Sequence, residues 1–226
     1  PVRSGLVAVQ GHQQKIRRRA GAIGSLRQGE AIRSPMRPGS NVMRITGGKL
    51  KGRTLRFPSR SASRPTTDFL REALFNLLGP QTDRSFLDLY AGSGAVGLEA
   101  ASRGAKPVVF VEKSGKLIGV IRENVSSCGC SEQSRIIHDG VASALCALYD
   151  QPCRFDVIFA DPPYGRGFIG ETLRALQSCP VMEEGGTLVL QHSVREPLPA
   201  LPGRWRVEKQ RKYGENLLTF IRMESE

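Results

Sequence analysis

A chain of 226 residues has room for one sizeable core and a tail rather than for two full domains. Lys and Arg outnumber Asp and Glu by 33 to 21, a formal charge of +12, yet residues 1–42 hold eight basic side chains against Glu30 alone, leaving 25 against 20 in the remainder. Such an excess favours a polyanionic partner, although the body's smaller surplus also serves plain solubility. Apolar runs as short as Val108-Val109-Phe110-Val111 are far too short to cross a bilayer.

The tail, rich in Arg, Gly, Gln and Ser and carrying KIRRRAG, has neither the periodicity of a docked helix nor a secretory apolar region. It is expected to be a basic, disordered extension, with Met43 as an alternative start. From Met43 the stretch MRITGGKLKGRTLRF alternates β-favouring pieces with glycine and basic residues, predicting a β-hairpin arm over 43–64 ahead of a main domain over 65–226. TTDFLREALFNLL then places Phe69, Leu70, Ala73, Leu74, Leu77 and Leu78 on one face of a helix that has Thr or Asp for an N-cap and is stopped by Gly79-Pro80.

Strand-like and helix-like runs alternate from there. Strands are predicted at 86–90, 107–112, 135–139, 155–160 and 187–192, and helices at 95–103, 114–127, 141–149 and 168–178. Near-continuous apolar strands separated by helices predict an α/β, Rossmann-like fold whose mostly parallel sheet is covered on both faces. The last stretch, WRVEKQRKYGENLLTFIRM, predicts a terminal antiparallel hairpin that brings the sheet to seven strands.

Five cysteines (Cys128, Cys130, Cys146, Cys153 and Cys179) form an odd set without a C-x-x-C pair or a His at finger spacing. Reduced thiols in a cytoplasmic protein are therefore expected, with no structural metal. His138 and His192 end strands without a second ligand at metal spacing, and Trp205 is expected to pack in the terminal hairpin.

The chemistry begins in FLDLYAGSGAVGLEA, where Gly92-x-Gly94-x-x-Gly97 follows a strand and opens a helix. Such glycines allow a sharp turn and let a ligand approach the main chain, and Ala91 and Ser93 belong to the same turn. The motif alone is weak, since a tight strand-to-helix turn needs no ligand. Glu112, about twenty residues on at the end of the next strand, strengthens it, because a carboxylate there can accept both hydroxyls of an adenosine ribose.

A dinucleotide and S-adenosylmethionine both remain open at this stage. Asp88, four residues before the first glycine, suits an amino group and a sulfonium and would repel a pyrophosphate. Asp139 ends the third strand, where it can either meet an adenine amino group or cap the next helix.

The fourth strand runs into Asp161-Pro162-Pro163-Tyr164. With the glycine turn, Asp88 and Glu112, it resembles a class I methyltransferase acting on an exocyclic amino nitrogen. The segments MRITGGKLKGRTL, RPTTDFLREALFNLL, LDLYAGSGAVGLEA, DPPY and KYGENLLTFIR, in that order, resemble the RsmD family of small-subunit (16S) rRNA guanine-N(2)-methyltransferases over residues 43–226. Nothing before Met43 matches, and Glu215 stands where the family usually has a shorter acid.

The resemblance implies S-adenosylmethionine as cofactor, small-subunit rRNA in a partly assembled 30S particle as partner, and a monomeric cytoplasmic enzyme without membrane contact. Asp161 and the Pro162 carbonyl would hold the amino protons, the adjacent Pro163 would stiffen the loop, and Tyr164 would stack on the base. Phosphates are expected to meet Lys49, Lys51, Arg53, Arg56, Arg60 and Arg64 of the arm, together with Arg166. Arg71 and Glu72 either form an exposed helix pair or line the mouth above the cofactor, where Arg71 would meet the RNA. A DNA amino methyltransferase is disfavoured by the lack of length for a target-recognition domain, and a protein-glutamine methyltransferase by DPPY in place of NPPY. A non-catalytic RNA-binding protein would have no reason to hold Asp88, Glu112, Asp161 and Tyr164 together.

Overall fold

The computed structural model describes residues 43–57, 67–201 and 203–223. The expected extension over 1–42, and Arg60 and Arg64 of the arm, lie outside the described residues. Strands β3 (Phe86–Leu89), β4 (Val108–Glu112), β5 (Ser134–His138), β6 (Phe155–Ala160), β7 (Met182–Ser193), β8 (Trp205–Tyr213) and β9 (Asn216–Met223) form one sheet, in the order β5-β4-β3-β6-β7-β9-β8. The first five are parallel, and β9 pairs antiparallel with both β7 and β8.

Successive strand residues point to opposite faces, so the apolar runs fill two cores. Phe86, Phe110, Phe159, Val189 and Phe220 pack on one side, against residues of helices α1 (Asp68–Leu78), α2 (Ala95–Ser102) and α3 (Gly115–Ser127). Leu87, Leu89, Val109, Val111, Ile158, Leu188 and Leu190 pack on the other, against α4 (Val141–Tyr149) and α5 (Phe168–Ser178). The chain lays β4 and β5 outward from β3, then returns to place β6 on β3's other flank. The loops after β3 and β6 therefore diverge, and a crevice opens at the carboxyl ends of those two strands.

Strands β1 (Met43–Arg44) and β2 (Thr54–Leu55) pair antiparallel as the predicted arm. Met43, Ile45 and Leu55 are buried in the first core. The arm approaches α2 closely: Lys49 N donates to Ser102 O at 2.7 Å. At Gly48, with φ 75°, a Cβ would overlap that same carbonyl, so glycine is required there.

Three expectations need correction. On α1 the Thr67 hydroxyl accepts from Leu70 N at 3.2 Å as an N-cap, but the buried residues are Leu70, Arg71, Leu74 and Phe75, while Phe69 is 69% exposed. The buried carboxylate of Glu99 on α2 draws Arg71 inward and turns Phe69 out. Strand β7 begins at Met182, opposite Phe155, five residues before the predicted start. Finally, Cys146 of α4 and Cys179 after α5 form a disulfide with a Cα–Cα distance of 5.2 Å, where reduced thiols were expected. The packing of α4 against α5 brings together two cysteines 33 residues apart, which sequence spacing does not show. Cys128 and Cys130 are buried in the first core, where burial pushes both thiols up.

Candidate active site

The glycine turn leaves β3 through Tyr90, a non-glycine residue at φ 60° whose hydroxyl is 2.9 Å from Thr172 Oγ1 on α5. Holding a tyrosine in the left-handed region costs free energy that this anchoring offsets, and the bend sends the backbone straight into Ala91–Gly94. Gly92 has φ 59°, and the space where its Cβ would stand is open except for Tyr90 O at 3.9 Å. The main chain of the turn is thus left bare on that side.

Glu112 ends β4 and fastens the turn. Its Oε2 accepts from Gly92 N at 2.9 Å and its Oε1 from Ser114 N at 2.8 Å. Each carboxylate oxygen keeps a further lone pair for another donor. From the other side, Asn124 of α3 donates to Ser93 O at 2.9 Å and to Arg56 O at 3.0 Å, and accepts from Arg56 N at 2.8 Å. One side chain therefore ties the arm to the glycine turn.

Asp88 is buried inside β3, with Oδ2 accepting from Gly97 N at 2.9 Å. Burial first, then the nearby charges of Asp161 and Glu112, push its carboxyl up to about 8 against the hydrogen bond from Gly97. Asp139 is exposed; Oδ1 accepts from Gly140 N at 2.7 Å and Oδ2 from the Ser143 hydroxyl at 2.6 Å. The Ser143 bond leads in holding its carboxyl below the ordinary range. Of the two sequence readings, engagement of the start of α4 is the contact present.

The Asp161–Tyr164 loop continues β6 next to this crevice. Asp161 Oδ2 accepts from Gln191 Nε2 at 2.9 Å. The Tyr164 hydroxyl donates to Asn216 Oδ1 at 3.0 Å and is 3.5 Å from Asp161 Oδ1. Burial and the Asp161 charge push that hydroxyl up to about 12, so it stays protonated and able to donate. Pro162 is buried and Pro163 exposed, while the Tyr164 ring is 43% exposed. Gly165 N, donating to Glu196 Oε2 at 3.0 Å, secures the far side of the loop.

The basic residues divide. Lys49, Lys51, Arg53 and Arg166 are exposed, whereas Arg64 lies outside the described residues. Arg71 is not available to RNA, against expectation. Its side chain is 0% exposed and paired with Glu99 Oε2 at 3.2 Å and Asp68 Oδ1 at 2.9 Å, and it also donates to the Arg44 carbonyl. Glu99 binds Arg103 at 2.9 Å, Thr46 N at 2.7 Å and the Thr46 hydroxyl at 2.9 Å. This buried cluster docks the arm, so Arg71 serves structure.

His192 is buried, with Nε2 2.9 Å from Thr219 Oγ1 and Nδ1 3.0 Å from Glu196 O. Trp205 packs in an apolar hollow beside Leu176, Pro180 and Met182, which contains none of the residues above. Sequence reasoning missed Gln191, Asn216, Glu99 and Asn124. A faint signal existed for Gln191, an amide interrupting the apolar run TLVL.

Residues 43–222 match the family described as Conserved hypothetical protein 95. Ribosomal RNA small subunit methyltransferase D of Escherichia coli K12 is 31% identical over 185 residues, 81% of this chain and 91% of that protein. The protein of the same name from Haemophilus influenzae is 32% identical over 174 residues, 76% of this chain and 89% of that protein. Among solved structures, yhhF from Escherichia coli has a TM-score of 0.72 at 29% identity, covering 82% of this chain and 99% of that one. A hypothetical protein from Thermus thermophilus has a TM-score of 0.69 at 38% identity, covering 80% of this chain and 100% of that one.

The mixed sheet, with β9 inserted antiparallel between β7 and β8, is that of a class I methyltransferase. The chain belongs to the family matched over residues 43–222, the RsmD family of small-subunit rRNA methyltransferases.

Proposed function

We propose that this protein transfers a methyl group from S-adenosylmethionine to the exocyclic amino nitrogen, N2, of a guanine in small-subunit rRNA, presented in a partly assembled 30S particle. One observation carries the amino-nitrogen reading. Asp161 and Tyr164 are held in one hydrogen-bonded group with Gln191 and Asn216, beside the crevice that Gly92 and Glu112 border. The names of the relatives support rRNA of the small subunit.

The residues present fit S-adenosylmethionine. Gly92 offers bare backbone, Glu112 keeps lone pairs for two ribose hydroxyls, and Asp88 is a buried carboxyl whose proton a neighbouring cation would displace. Ala91, Ser93 and Gly94 would complete the turn around it, with Asp139 toward the adenine amino group. Bound there, S-adenosylmethionine supplies an electrophilic methyl on a sulfonium.

The chain's own residues then act on the base. An aromatic amino nitrogen is a weak nucleophile because its lone pair is delocalised into the ring. Asp161 and the Pro162 carbonyl accept hydrogen bonds from its two N–H groups and favour a tetrahedral nitrogen. Pro162 and Pro163 hold these acceptors in place before the base arrives, which is where electrostatic positioning gains its effect. Tyr164, half exposed, stacks on the extruded base. Asp161 or water takes the proton the nitrogen sheds. Lys49, Lys51, Arg53 and Arg166 hold phosphates around that nucleotide.

Tritiated methyl transfer to rRNA from a strain lacking the enzyme, followed by nucleoside analysis, tests this reading. Methylated N2 of guanine is expected, and methylated adenine or cytosine would overturn the guanine assignment.

A further inference from the structure

Gln191 sits on β7 one residue beyond Leu190, which lies opposite Ala160, so Asp161 and Gln191 leave the parallel pair side by side. The side chain is 3% exposed, an unusual place for an amide in an apolar strand. Its Nε2 donates to Asp161 Oδ2 at 2.9 Å and is 3.5 Å from the Tyr164 hydroxyl. Its Oε1 is buried without a hydrogen-bond partner. Turning the amide over would set Oε1 against a carboxylate, acceptor against acceptor, so chemistry determines its orientation. A buried amide that leaves its acceptor unsatisfied is costly, and a glutamine kept only for packing has no reason to bear that cost.

We infer that Gln191 is the positioning residue of the reaction: it ties down Oδ2 of Asp161, donates to its ionised form and fixes the plane in which the carboxylate meets the amino group of the base. The inference rests on the proposed function. Tyr164 is held in the same manner by Asn216 of β9, opposite Ser193 of β7, so the antiparallel pair β7–β9 carries both clamps. The need for a donor is electrostatic. Asp161 faces Asp88 of β3 and Tyr164 of its own loop, with Glu112 acting on Asp88 and Glu196 on Tyr164 from farther out. Three of those four are carboxyls, and like charges close by disfavour a further ionised carboxylate. A neutral donor at 2.9 Å favours the charged form of Asp161 without neutralising it, and an ionised acceptor is what the amino protons need.

The test is Gln191→Met, close in length and without a donor, read as a ratio to the wild type on whichever amino acceptor the wild type methylates. Loss of a hydrogen bond to a charged group predicts a fall in kcat of about tenfold to a hundredfold. Affinity for S-adenosylmethionine should stay within about twofold, and the acid limb of the kcat–pH profile should move up by roughly one unit. An unchanged kcat, or a loss with the acid limb unmoved, overturns the inference. Should the variant not fold, the wild type decides. The side-chain amide resonance of Gln191 should titrate with the midpoint of the acid limb and cease to do so in Asp161→Asn; an amide indifferent to Asp161 overturns the inference. Nucleoside analysis separately reports which base is methylated, so an error in the guanine assignment and an error about Gln191 give different results.

Discussion

Asp88→Asn removes a buried charge while keeping an acceptor for Gly97 N, now 2.9 Å from Oδ2. In the native protein burial, reinforced by Asp161 and Glu112, raises this carboxyl from 3.8 to about 8. The unfolded chain sheds the proton near the ordinary value and the folded chain only near 8. The stability Asp88 contributes is therefore full below about pH 4 and is lost as pH rises to about 8. Each pH unit in that window removes about 1.4 kcal/mol, so the wild type should lose about 4 kcal/mol between pH 5 and pH 8 through this group alone. Urea unfolding of both proteins at unit steps of pH isolates it, since every other titrating group is common to the pair. The Asn variant should gain on the wild type by roughly that amount over the range, and parallel curves would refute the reasoning. Affinity adds a second arm. A cation held beside Asp88 favours the carboxylate, so wild-type binding of S-adenosylmethionine should release a proton and tighten with pH up to about 8, a dependence the Asn variant should lack.

Asp161→Ala should abolish methyl transfer to rRNA while calorimetric affinity for S-adenosylmethionine stays within about threefold, because in the proposed reaction Asp161 meets the base and not the cofactor; preserved turnover would remove it from the mechanism. Glu112→Ala should weaken that affinity by about 1.5–3 kcal/mol, the worth of hydrogen bonds to a charged group, and it also frees Gly92 N and Ser114 N. An unchanged dissociation constant would place the ribose elsewhere. Glu99→Ala removes the buried carboxylate that Arg71, Arg103 and Thr46 share and should cost about 3–5 kcal/mol, a fall in Tm of about 6–20 °C. Limited proteolysis should then cut within residues 43–57, and a melt within about 2 °C of wild type would show that the cluster does not hold the arm.

Much of the fold was legible because its signals are local. Strand alternation, helix periodicity and turn residues act within a few residues of one another, and the elements predicted at 141–149, 155–160 and 168–178 match α4, β6 and α5. The misplaced features share one cause. Arg71 was read as a cation exposed on its helix or lining the mouth above the cofactor, because a helix with Asp, Arg and Glu in its first turns normally faces water. The buried carboxylate of Glu99, 28 residues away on α2, helps make it an interior residue. Phe69 followed from the same rotation, and the Cys146–Cys179 bond from the meeting of α4 and α5.

By itself the sequence determined the alternating α/β order, the glycine turn, and the residues Asp88, Glu112 and Asp161–Tyr164, since each is carried by a short run of neighbours. Tertiary structure alone decided what those residues touch: that Glu112 fastens Gly92, that Asn124 joins the arm to Ser93, and that Gln191 and Asn216 hold Asp161 and Tyr164. These partners lie 20 to 68 residues apart along the chain. Hydrogen bonds depend on distances in space, and those distances exist only once the sheet has brought the carboxyl ends of its strands together.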